Sequence, residues 1–188
     1  ARIEAERRIV AAADRLICAT PHERDFLVQL YGAQRECVAV VPAGVDLARF
    51  RPGDQAAARA HLGLDDGPLV LFVGRLEPLK GVDILVRAVA VAELDQPITL
   101  IVAGGDRESA PDAVGELDAL AHELGIADRV GFVGSIPREE LPAYYHAADI
   151  CVVPSYYESF GLVAVEALAS GTPVIATRVG GLQYTVRD

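Results

Sequence analysis

The stretch LVLFVGRLEPLKG, Leu69 to Gly81, decides the fold. Its first five residues are apolar with no polar alternation, the pattern of a strand buried on both faces. Gly74 ends the run. Arg75 and Lys80 follow, five positions apart, across a turn that carries Pro78. Helical period then begins, and a helix is predicted over 80–94. A strand, a charged turn and a helix make up the repeating unit of a parallel sheet covered by helices.

The same rhythm runs along the chain. Short β-branched runs predict strands at 15–19, 37–41, 69–73, 98–103, 130–133, 150–153 and 173–176. Helices are predicted at 2–13, 21–31, 54–62, 80–94, 112–124, 139–147 and 161–170. The fold class is α/β, a parallel sheet with helices on both faces. V-x-F-V-G occurs at Val70–Gly74 and at Val130–Gly134. Nothing else recurs at that spacing, so these are two similar strand ends and not a tandem repeat.

One segment breaks the rhythm. Pro42 to Gly53, PAGVDLARFRPG, is rich in proline and glycine and reads as a connection. Residues 1–42 hold too few elements to close a core and read as the tail of an earlier domain. Residues 43–53 are a linker, and 54–188 form most of a second domain.

Composition narrows the function. Hydrophobic residues make up 52% of the 188 and charged residues 23%, a globular balance and not a disordered one. The net charge of −10 argues against a general nucleic-acid binder. No apolar run is long enough to span a bilayer, and no basic stretch followed by an apolar one reads as a signal peptide. Cys18, Cys37 and Cys151 fit no metal or disulfide spacing, and a reducing cytoplasm is the simplest compartment. The sequence has no methionine, so the chain is expected to be a piece of a longer one. It has one lysine, Lys80, against sixteen arginines. Lysine is a compact point charge where arginine is a planar fork.

Common nucleotide motifs are missing. There is no G-x-x-x-x-G-K-[ST], no G-x-G-x-x-G after a strand and no D-x-D. In open α/β sheets, however, ligands bind beyond the carboxyl ends of the strands. Arg75 and Lys80 stand there and could hold a diphosphate; the alternative is a solvated loop in which Glu77 pairs locally. The stretch PSYYESFGLVAVEALASGTPV, Pro154 to Val174, adds two carboxylates. Its helix is expected to start near Phe160–Gly161, leaving the amides of Phe160, Gly161 and Leu162 free for an anion. Glu166 lies inside that apolar helix and needs donors. Two ribose hydroxyls would serve, as would a salt bridge to an arginine such as Arg178. Glu158, on the loop before the helix, would face a sugar or simply favour the helix dipole. The histidines, His22, His61, His122 and His146, carry no clear signal. The Asp106-Arg107-Glu108 cluster reads as a solvated loop, although Gly104–Gly105 before it would admit close approach by a ligand.

Taken together, these residues resemble a known family. Gly74, Arg75, Lys80 and Gly81, in G-R-x-x-x-x-K-G, and Glu158 to Glu166, in E-x₇-E around Ser159, Phe160 and Gly161, are similar to the retaining GT-B glycosyltransferases of family 4. VPAGVDLARFRP and ASGTPVIATRVGG match as well, and the likeness runs from about Asp14 to Asp188. Within the family it is nearest to the mycothiol-pathway N-acetylglucosaminyltransferase and sucrose-phosphate synthase branches.

The resemblance implies two Rossmann-like domains facing a cleft, with the C-terminal one binding a nucleoside-diphosphate sugar as donor substrate, UDP-linked by family frequency. No metal or cofactor is implied. Gly74, Arg75 and Lys80 would hold the diphosphate and Glu166 the ribose. Glu158, Ser159, Phe160, Gly161 and Leu162 would contact the sugar and distal phosphate, and Ile136 and Arg138 the base. Glu158, Arg75 and Lys80 would be the catalytic set. The leaving phosphate would take the acceptor's proton. The resemblance places an acceptor-binding domain upstream of residue 1 and a final helix after Asp188, so this stretch alone is expected to be inactive. A cytoplasmic enzyme is expected, with a location peripheral to the membrane as the alternative. A GT-B epimerase, a phosphorylase and a non-catalytic sugar-nucleotide-binding domain are the alternatives.

Overall fold

The computed structural model describes residues 2–105 and 108–187. The N-terminal unit is α1 (Arg2–Ala12), β1 (Leu16–Cys18), α2 (Pro21–Tyr31) and β2 (Val38–Val40). The two strands pair in parallel, with Leu16 opposite Val38 and Cys18 opposite Val40. Thr20 caps α2 by accepting a hydrogen bond from the Glu23 amide, while Glu23 reaches back to the Ala19 amide. Cys18, Ala33 and Val38 form a small core there.

The larger unit follows the connection. Its elements are α3 (Gln55–Leu62), β3 (Leu69–Val73), α4 (Val82–Val91), β4 (Thr99–Ala103), α5 (Pro111–Glu123), β5 (Val130–Gly134), α6 (Leu141–Ala147), β6 (Ile150–Val153), α7 (Leu162–Ala169), β7 (Val174–Ala176) and α8 (Leu182–Thr185). The five strands form one parallel sheet in the order β5-β4-β3-β6-β7.

Successive side chains on the central strands point to opposite faces, and each face meets its own core. Leu69 and Leu71 of β3 and Ile101 and Ala103 of β4 join Phe50, Ala58, Tyr145, Ala147 and Ala167. Phe72, Leu100 and Val102 join Val82, Leu85, Val86, Val89, Leu120 and Ala121 on the other side. Burial on both faces explains why these strands lack polar alternation.

Six of the seven predicted helices shift by a few residues at one or both ends, and one further helix was not predicted. The helix expected over 80–94 begins at Val82, because Pro78–Lys80 is a 3₁₀ turn and Gly81 is left-handed at φ 66°. Lys80 therefore lies on the turn and not on the helix. A short helix, α8, was not expected, since its four residues show no apolar period; its Leu182 is nevertheless buried.

The connection is anchored in the larger core. Asp46 caps a turn by accepting from the Ala48 amide, and Phe50 beyond it is fully buried. At the amino end of the sheet, buried Arg59 donates to the Ala147 carbonyl and to Asp149, at 2.9 Å each. Asp149 also accepts from the Leu69 amide at 2.8 Å and from Gln55 at 3.0 Å. This cluster ties the starts of β3 and β6 together and so fixes how their far ends meet.

Candidate functional site

Strand order locates the site. From β3 the chain steps outward to β4 and β5, then returns to β6 on the other side of β3. Ligands of open α/β sheets bind beyond the carboxyl ends of the strands at such a reversal. The turn carrying Lys80 leaves β3 there, and the loop carrying Glu158 leaves β6.

The two loops touch. The Tyr156 amide donates to the Leu79 carbonyl at 2.8 Å. A side chain on Gly81 would run into the Pro154 carbonyl oxygen, so only glycine permits this approach. Lys80 Nζ then lies 2.7 Å from Glu158 Oε2, and the two side chains are only 22% and 18% exposed. Residues 78 positions apart share one charge-assisted hydrogen bond at the crevice.

A second layer holds the Glu158 loop from behind. The Gly181 amide donates to the Glu158 carbonyl at 2.8 Å. The Thr177 hydroxyl donates to the Ser155 carbonyl, and the Thr185 hydroxyl lies 2.5 Å from the Phe160 carbonyl. Side chains on Gly180 or Gly181 would collide with the carbonyls of Glu158 and Ser159. These supporting residues were not singled out from the sequence, where ATRVGG counted only as part of the family likeness; its glycine pair is the signal that could have found them.

Helix α7 begins one residue later than expected. Gly161, left-handed at φ 88°, is its N-cap, and no side chain caps it. Phe160 and Gly161 thus belong to the loop with exposed Ser159. Of the three expected amides, only that of Leu162 lies in the first turn, followed by Val163 and Ala164. Such first-turn amides have no partner within their own helix and favour an anion.

Glu166 is 8% exposed, and its donors are Tyr145 and Arg138, not Arg178. Tyr145 donates to Oε2 at 3.2 Å and Arg138 Nη2 to Oε1 at 3.3 Å. Burial pushes the Tyr145 phenol far above its ordinary value, with Cys151 and Glu166 adding to the effect, so it remains a donor. Arg138 also lies over the Phe50 ring, 5.8 Å from its centroid. Ile136, nearby in sequence, is half-buried against the same core.

Other candidates stand apart. Arg75 pairs with Glu77 at 2.7 Å with its side chain 78% exposed, the local pairing weighed against a ligand role. Gly104 is filled by protein, because a side chain there would strike the Gly74 carbonyl oxygen. Asp106 and Arg107 lie outside the described residues. His146 contacts the Arg51 carbonyl at 2.7 Å, and the His22 ring meets Phe26 at a tilt of 58°. Among the described residues, no group of three or more His, Cys, Asp or Glu side chains is placed to hold a metal. No described helix is long and apolar enough to cross a membrane.

The chain is similar to known proteins over nearly its whole length. It is 52% identical over 187 residues to a D-inositol 3-phosphate glycosyltransferase of Nocardia farcinica, covering 97% of this chain and 42% of that protein. The sucrose-phosphate synthase of Thermosynechococcus elongatus superposes with a TM-score of 0.87 at 43% identity, covering 99% of this chain and 46% of that one. Anabaena Alr3699/HepE, solved in complex with UDP-glucose, superposes at 0.85 with 28% identity, covering 99% and 52%. The chain thus spans less than half the length of the curated relative and about half of the solved ones. The epimerase alternative finds no support among these matches. Residues 1–49 match Glycosyltransferase Family 4 and residues 54–188 match Glycosyl transferases group 1. With this parallel sheet and these neighbours, the chain belongs to the glycosyl transferases group 1 family and has a GT-B architecture.

Proposed function

We propose that this chain forms the donor side of a retaining glycosyltransferase that moves a sugar from a UDP-linked donor to an acceptor. The observation that carries this reading is the meeting of Lys80 and Glu158 at the strand-order reversal, 2.7 Å apart beside an uncapped helix start. A cation and bare amides suit a diphosphate, and a carboxylate suits the hydroxyls of the attached sugar. The neighbour HepE, bound to UDP-glucose, supports the same use of the fold. Residues 54–188 are the donor domain, 43–53 the linker and 1–42 part of an acceptor domain. The three unpaired thiols support a cytoplasmic setting.

Breaking the anomeric C–O bond places negative charge on the leaving diphosphate and positive charge on the sugar. Lys80 and the amides of α7 are fixed before the reaction and stabilise that negative charge as it develops. Arg75 joins them by leaving Glu77. Glu158 orients the sugar, and Glu166 accepts the ribose hydroxyls. Gly74 and Ser159 border the diphosphate, and Ile136 and Arg138 border the base. The departing phosphate oxygen accepts the acceptor's proton, so no side-chain base is required and retention follows.

The test is titration of the full chain with UDP, UDP-glucose, GDP and ADP, with transfer followed as release of nucleoside diphosphate. The curated relatives' name makes a phosphorylated polyol the first acceptor to try. Saturable UDP binding that Lys80→Ala and Glu166→Ala both weaken is expected. Unchanged titration curves in both variants would reject the assignment.

A further inference from the structure

We infer that Tyr145 is a positioning residue for Glu166, and that through it the site distinguishes a ribonucleotide from a nucleotide lacking ribose hydroxyls. The inference rests on the proposed contact between Glu166 and ribose, and it concerns what makes that contact selective.

The two oxygens of Glu166 have unlike partners. Oε2 receives the hydroxyl of Tyr145, a side chain with no exposed surface. Oε1 receives Arg138, whose side chain is 58% exposed. One partner is fully buried and the other reaches in from the surface. A carboxylate offers about four lone-pair sites. With Tyr145 and Arg138 each taking one, about two remain, the number a vicinal diol fills.

Tyr145 is itself held in place. Its ring meets Phe50 edge-on at a centroid separation of 6.0 Å. Its backbone carbonyl accepts from the buried Thr172 hydroxyl at 2.7 Å. The phenol therefore has one accessible orientation, with its proton aimed at Glu166. Phe50 also carries Arg138 over its ring, so a single residue of the connection supports both donors to the carboxylate. Without the hydroxyl, Glu166 would keep its charge and burial but lose the contact that fixes its rotamer. Sugar hydroxyls would then meet a carboxylate spread over several orientations.

The probes are UDP and 2′,3′-dideoxy-UDP, titrated calorimetrically into the full chain. Wild type is expected to bind UDP more tightly than the dideoxy compound by about tenfold or more, the worth of a charged hydrogen bond. Tyr145→Phe is expected to lose most of that discrimination. UDP weakens by about tenfold while dideoxy-UDP changes by less than about twofold. Equal weakening of both ligands would make Tyr145 merely structural, and preserved discrimination would also overturn the inference. A wild type that binds both ligands alike, or neither, would instead remove the ribose contact itself and the inference with it. Phe50→Leu keeps the hydroxyl but removes the ring edge, and it provides a second reading should Tyr145→Phe fold poorly. It is expected to reduce the discrimination in part, and full discrimination there would count against the inference.

Discussion

Removing the lysine amine is the sharpest perturbation of this site. If Lys80 holds the diphosphate as proposed, Lys80→Ala removes one or two charge-assisted hydrogen bonds, about 1.5–3 kcal/mol each. Glu158, 2.7 Å away and 18% exposed, is left uncompensated beside the ligand. Two unit charges about 6 Å apart repel by about 3 kcal/mol at an effective dielectric near 20. One lost bond plus part of that repulsion gives about 3–4 kcal/mol, or about 150- to 700-fold in the Kd for UDP. Calorimetric titration at fixed ionic strength measures it. Adding Glu158→Gln to Lys80→Ala removes the repulsion and should recover about tenfold. Glu158→Gln alone frees Lys80 from its partner, so UDP should bind about threefold more tightly while transfer slows. Arg75→Ala should weaken UDP less, by about three- to tenfold, because Arg75 is exposed and paired with Glu77. A Lys80→Ala chain that binds UDP within about threefold of wild type would refute the reasoning.

Three further outcomes are expected. Gly181→Ala should destabilise the fold by about 1–3 kcal/mol in urea and weaken UDP, because the added methyl strikes the Ser159 carbonyl, whereas Gly115→Ala, in open space on α5, should be neutral or stabilising. Although burial opposes it, the Leu69 amide, Gln55 and Arg59 hold the Asp149 carboxyl below the usual range. Its contribution to stability is therefore complete above the ordinary carboxylate pKa of about 3.9 and fades as pH falls through the depressed folded value, so the Tm advantage of wild type over Asp149→Asn should shrink below about pH 4. Burial pushes the Cys151 thiol up to about 12 and raises that of Cys18, so iodoacetamide on the native chain should modify Cys37 first, with all three labelled in urea, as read by mass spectrometry.

Much of the fold was legible because it is written in local pattern. The strands at 69–73 and 150–153 coincide with β3 and β6, and the other strands differ only at their ends. Their apolar runs need no distant information. Misreadings occurred where a few residues decide the conformation. A left-handed Gly81 delays α4, and a left-handed Gly161 delays α7. Pattern alone could not say whether those glycines would continue a helix or precede it. The four residues of α8 are too short to show a period.

The candidate site was legible as a set of residue types, but not as a set of pairings. Lys80, Glu158 and Glu166 were noticed because a lone lysine, a loop carboxylate and a carboxylate inside an apolar helix each call for a partner. The partner of Glu166 could not be chosen from sequence. Arg178 is nearer along the chain, but Arg138 and buried Tyr145 are the residues brought to it. For Arg75 the local alternative, pairing with Glu77, is the arrangement observed.

By itself the sequence determined the alternation of strand and helix, the burial of the sheet on both faces and the turns on which the charged residues stand. Those features depend on side-chain period and on proline and glycine a few positions away. Only the tertiary structure decided that β6 returns beside β3, that Lys80 meets Glu158 and that Phe50 and Tyr145 stand behind Glu166. The physical reason is reach: an ion pair acts over a few ångströms in space, and the order in which strands join a sheet determines which distant parts of the chain come that close.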